Sequence, residues 1–65
     1  MRKNLKEARQ KAGMTQKQVA EYLGITIRSY QRIESGASLG SIKNWDALED
    51  LFSINQRRLR EFTSH

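Results

Sequence analysis

Apolar residues recur at helical spacing in five short stretches of this chain, and turn-forming or polar residues separate them. The first stripe is Leu5, Ala8 and Ala12, which predicts a helix from about Leu5 to Ala12 stopped by Gly13, behind a basic lead of residues 1–3 that should fray. A second helix opens at Thr15, an N-cap type, with Gln18 three residues on to complete a capping box. It places Val19, Ala20 and Leu23 on one face and ends at Gly24, the residue that most easily turns left-handed. Thr26 caps a third helix, Ile25 and Tyr30 are spaced as a hydrophobic staple, and Gly36 stops it. Residues 37–40 form a small-residue loop. Ser41 then caps a fourth helix, about Ile42 to Phe52, with Ile42, Trp45, Leu48 and Phe52 facing the core and Trp45 either core or a dimer contact. Ile54 and Leu59 can staple a fifth helix, capped by Asn55 and running to about Phe62, before a loose tail of three residues.

The stretch from Thr15 to Gly36 stands out. A helix, a short turn containing glycine and a second helix make a helix-turn-helix motif, and Ala20 is small where the two helices would cross. At about 100° per residue from Ile27, the residues Gln31, Ser35, Arg28 and Arg32 fall near 40°, 80°, 100° and 140°, whereas Tyr30 and Ile33 fall near 300° and 240°. One face thus carries two arginines and a glutamine, side chains able to hydrogen-bond base edges, and the other carries core contacts. An ordinary amphipathic surface helix also has a charged outer face. The capped helix in front of it tips the balance toward nucleic acid.

Charge strengthens that reading. The net charge is +5, and it is unevenly placed. Up to Ser35 the chain holds Arg2, Lys3, Lys6, Arg9, Lys11, Lys17, Arg28 and Arg32 against Glu7, Glu21 and Glu34. Beyond Ser35 the four basic residues Lys43, Arg57, Arg58 and Arg60 balance Asp46, Glu49, Asp50 and Glu61. The excess sits in the half with the motif, as a polyanion partner requires, although basic surfaces also keep small proteins in solution.

Sixty-five residues make one domain, residues 1–65, with little stability to spare. Without cysteine it can have neither disulfides nor thiolate-bound zinc, so helix packing must hold it. No apolar run nears the ~20 residues of a membrane span, and no signal-peptide core follows Met1, so a cytoplasmic protein is expected. Catalysis has little to work with: the one histidine is residue 65, and no serine sits in an activating motif. Asp46, Glu49 and Asp50 read as a solvated acidic face. No cofactor or metal motif occurs, and no enzyme is expected.

Thr15-Gln16, Ala20, Gly24, Ile33-Glu34 and Gly36 together resemble the signature of Cro/phage-repressor-like helix-turn-helix proteins, the lambda-repressor-like or XRE type. The resemblance spans about residues 4 to 59. It implies an all-α, compact five-helix domain whose third helix enters the major groove. It also implies roles residue by residue. Ile27, Arg28, Gln31 and Arg32 match base-reading positions, with either arginine suited to a guanine and Ile27 to a thymine methyl. Thr15, Gln16, Thr26, Ser35 and Ser38 match backbone-contacting positions, Gln16 most directly, at a helix N-terminus that favours an anion. Arg9 and Glu34 match a structural ion pair, where Arg9 alone would read as an arginine lying over the core edge. Two departures stand out: Glu49 replaces a small apolar residue, and Ser53 a glycine.

The expected function is a sequence-specific double-stranded DNA-binding transcriptional regulator, a bacterial, phage or mobile-element repressor. One small module reads few base pairs, so it should bind a pseudo-palindromic operator as a homodimer. The free chain should pair weakly or not at all, and the pairing surface should lie around Phe52, Leu59 and Phe62. The alternative is a protein-interaction module or antitoxin-like component that keeps the fold and docks a partner through the face headed by Ile27.

Overall fold

Local signals decide where most of the helices begin. In the structure, a computed structural model that describes residues 1–62, these are α1 (Lys3–Lys11), α2 (Gln16–Leu23), α3 (Ile27–Ser35), α4 (Ile42–Phe52) and α5 (Gln56–Arg60). Thr15 Oγ1 accepts the Gln18 N–H at 3.1 Å and Gln18 Oε1 accepts the Thr15 N–H at 2.9 Å, so the capping box is complete. Thr26, Ser41 and Asn55 cap α3, α4 and α5 through their side-chain oxygens. Each such cap is worth about 1 kcal/mol. Gly24 ends α2 and Gly36 ends α3 with positive φ, as their positions in the pattern predict.

The expected glycine position after α4 is occupied by Ser53, which nevertheless takes the left-handed conformation (φ 55°). Glu49, the other departure, has work of its own. Its Oε1 accepts both the backbone N–H and the side-chain amide of Gln56, at 3.2 and 3.1 Å, which places a carboxylate at the start of α5. Asp46 Oδ1 accepts from the same amide at 2.7 Å. The acidic face of α4 is therefore partly engaged in holding α5.

Every helix sends residues to one core: Leu5 and Ala8 from α1, Val19 and Ala20 from α2, Tyr30 and Ile33 from α3, Trp45 and Leu48 from α4, and Leu59 from α5. Met14, Leu23, Ile25, Leu51, Phe52 and Ile54 pack around it. The helix-turn-helix pair α2 and α3 lies together, and α5 packs on both α1 and α4.

Five expectations are corrected. The lead does not fray: Arg2 is buried and its carbonyl accepts the Lys6 N–H at 3.2 Å, so α1 starts at Lys3. Ala12 is the exposed C-cap of α1 rather than a core residue. Ile42 is 78% exposed, because it lies about 90° around the helix from the mean direction of Trp45, Leu48 and Phe52. Helix α5 stops at Arg60, two residues short of Phe62. Leu59 is wholly buried and cannot belong to a pairing surface. The tail of residues 63–65 lies outside the described residues.

Candidate nucleic-acid interface

Helix α3 is amphipathic in the sense its sequence predicts. Tyr30, Ile33 and Glu34 are buried, while Ile27, Arg28, Gln31 and Arg32 are exposed. Ile27, an apolar residue at the head of a polar face, is 43% exposed. Thr26 Oγ1 accepts the Ser29 N–H at 3.1 Å and donates to Ser29 Oγ at 2.9 Å, so the first turn of this face is fixed from within.

A chain of polar contacts runs from that face into the interior. Arg9 grips Glu34 with two bonds, Nε to Oε2 at 2.9 Å and Nη2 to Oε1 at 3.2 Å, and its Nη1 donates to the Met14 carbonyl at 3.0 Å. Gln16 Nε2 donates to Glu34 Oε1 at 3.3 Å, and Gln16 Oε1 accepts from Gln31 Nε2 at 3.1 Å. The exposed Gln31 is thereby tied, through Gln16 on α2, to the buried ion pair that joins α1 and α3. Burial alone would raise the Glu34 pKa, but the hydrogen bonds and charge of Arg9, with help from its other polar neighbours, hold it below the ordinary carboxylate value. The Arg9 guanidinium is in turn pushed up by its bond to Glu34. Burial, and then the neighbouring Glu34 carboxylate, drive the Tyr30 hydroxyl well above the usual phenol value. That hydroxyl has no hydrogen-bond partner among the described residues.

The remaining sequence-predicted residues divide. Thr15 and Thr26 use their oxygens as helix caps. Ser35 Oγ donates to the Arg32 carbonyl at 3.2 Å, and Ser38 Oγ accepts the Gly40 N–H at 3.3 Å, so both hydroxyls shape the turn after α3. Gln16 is half-buried with both ends of its amide in use, more a connector between helices than a free polar group.

Comparison with known proteins decides what kind of fold this is. A family model described as helix-turn-helix matches residues 5–55. The chain belongs to the helix-turn-helix family. The matched type is XRE or lambda-repressor-like, a family of DNA-binding regulators, and the all-helical five-helix architecture agrees with it. No curated protein and no solved structure matches the chain. Among the described residues, no helix of this helix-turn-helix protein is long and apolar enough to cross a membrane.

Sequence reasoning missed Arg2 and the Gln16–Gln31 link. Arg2 sits beside Lys3 in a basic lead, and the carbonyls its side chain bonds to lie 31 to 58 residues away, so no local pattern marks it. The two glutamines are 15 residues apart on different helices. Only the angle between α2 and α3 brings them together.

Proposed function

We propose that this is a sequence-specific transcriptional regulator of the phage or mobile-element repressor type, which lays α3 in the major groove of double-stranded DNA. The observation that carries the reading is the exposed face of α3, where Ile27, Arg28, Gln31 and Arg32 stand together while the opposite face is locked into the core. A guanidinium reaching guanine O6 and N7, an amide reaching adenine and an aliphatic group meeting a thymine methyl are the contacts such a face can make. Gln31 is presented at a fixed angle because Gln16 holds its amide. Gln16, at the start of α2, retains a second amide proton for a phosphate. Thr15, Thr26, Ser35 and Ser38 frame the reading face and face the backbone on either side of the groove.

The chain acts as a homodimer on a two-fold operator. Its pairing surface is Leu39, Ile42 and Phe62, which are 77%, 78% and 56% exposed and line one open cleft of about 410 Å³. Arg57, Arg60 and Glu61 also border this cleft, so its rim carries both charge signs, as a surface that meets its own copy needs. So small a patch favours pairing on DNA over pairing in free solution.

A salt-titrated shift assay on random duplex tests the reading. Affinity should fall steeply, with a slope of log K against log salt of about −0.9 for each phosphate neutralised. No binding even at low salt would favour a protein partner for the same face.

A further inference from the structure

Arg2 is 2% exposed, an unusual state for an arginine, and it lies at the C-terminal end of α3. Its Nη1 donates to the carbonyls of Ile33 and Ser38, the latter at 2.8 Å, and its Nε donates to the Arg60 carbonyl at 3.1 Å. The guanidinium carbon lies 5.1 Å from the Trp45 ring centroid and 4.6 Å from that of Phe62. The Arg2 backbone N–H adds a bond to the Glu34 carbonyl at 2.9 Å. One residue therefore joins the last turn of α3, the loop after it and the end of α5.

The chemistry suits arginine alone. A planar fork with five N–H donors serves several carbonyls at once and still stacks on aromatic rings, whereas an ammonium cannot do both. The carbonyl end of α3 is also the negative end of its dipole, where a cation is favoured. The loop has a second tie, from Trp45 Nε1 to the Leu39 carbonyl at 2.8 Å. It is coupled to the reading face as well, because the Ser38 N–H donates to the Arg32 carbonyl at 3.0 Å.

We propose that Arg2 is a positioning residue for the reading surface, which sets the last turn of α3 and residues 35–41 and does not itself touch phosphate. This rests on α3 being the base-reading helix. A phosphate contact and a positioning contact fail differently. Losing the first makes the salt slope shallower by about 0.9 and weakens all sequences alike. Losing the second leaves the slope and reduces the preference for the right sequence.

The test replaces Arg2→Met in the full chain, keeping an apolar stem and removing the fork. Binding to the preferred site and to random duplex is measured across salt. Separately, without DNA, acrylamide quenching of Trp45, the one tryptophan in the chain, reads the seam directly. The expected result is a loss of about tenfold in preference, the scale of one base contact, with an unchanged slope on random duplex and a more readily quenched Trp45. Should Arg2→Met fail to fold by circular dichroism, Arg2→Lys is measured on the same axes. A retained preference, whatever the slope, overturns the inference, and so does unaltered quenching. Absence of any sequence preference in the native chain is a different failure, that of the reading of α3, and is seen before any variant is made.

Discussion

At its N-terminus α3 is held by its sequence neighbours: Thr26 caps it, and Gly24, three residues before its first helical residue, supplies the turn. At its C-terminus it is held from afar. Arg2 reaches Ile33 and Ser38, Arg9 reaches Glu34, and the Phe62 ring lies over Gly36. The two helix-ending glycines show the difference. Both have positive φ, 71° at Gly24 and 92° at Gly36. A Cβ on Gly24 would meet nothing within 4 Å, whereas one on Gly36 would come within 2.6 Å of Phe62 Cε1. The first end is a local device that forms wherever these residues occur. The second exists only when the whole domain has closed, so the exposed face of α3 is fixed at one end by sequence and at the other by tertiary structure.

The largest effect should come from breaking the distant end at its ion pair. Arg9→Met strands the Glu34 carboxylate, and removing one partner of a buried pair costs about 3–5 kcal/mol. A domain of this size has only about 0.05–0.15 kcal/mol per residue in hand, so the variant should be largely unfolded or close to it by urea titration. The native chain should also be acid-sensitive through this pair. Because the folded state holds the Glu34 pKa below its unfolded value, the stabilisation is complete above about pH 4.3 and disappears as pH falls through the folded value. Urea midpoints measured from pH 7 down to pH 3 should fall on the acid side. If Glu34→Gln, which removes the titrating group, retains the native acid-side loss, Glu34 is not its source.

The glycines come next. Gly24→Ala should cost about 1–2 kcal/mol, the penalty for a side chain in the left-handed region. Gly36→Ala should cost more by about 0.5–1 kcal/mol, because Phe62 must swing aside and surrender its stack on Arg2. That excess should vanish in a Phe62→Leu background. Equal costs in the native background would mean that Phe62 does not bear on the seam.

The smallest effect is at the local end. Thr26→Ala removes one cap and should cost about 1 kcal/mol in thermal unfolding. Trp45 emission should not change, since the Thr26 hydroxyl bonds within the first turn of α3, to Ser29. A shifted emission would mean that the two ends of α3 are not independent.

The same division explains what the sequence reveals. The capping box at Thr15, the left-handed glycines and the buried and exposed faces of α3 follow from residues three or four apart, and each is readable along the chain. The Arg9–Glu34 pair is visible only through family resemblance, since nothing in either residue's neighbourhood names the other. Arg2, Leu59 and Ile42 were illegible for a shared reason. Burial at a chain end, or at the edge of a helical stripe, depends on which element comes to cover it, and that is settled by packing angles rather than by period. Glu49 is the converse case: it departs from the family pattern, and its reason appears only when Gln56 is seen folded back onto it.

Helix α3 is proposed to read DNA sequence. The direct measurement is the site preference of the native chain, selected from a random duplex pool, set beside that of Arg28→Ala and Arg32→Ala once circular dichroism shows both folded. Each variant should lose about 1–3 kcal/mol on the native chain's preferred site, lose less on random duplex, and relax the preference at particular base positions. If both variants are folded and select the same sequences as the native chain, α3 is not the reading element and its exposed face serves a protein partner instead.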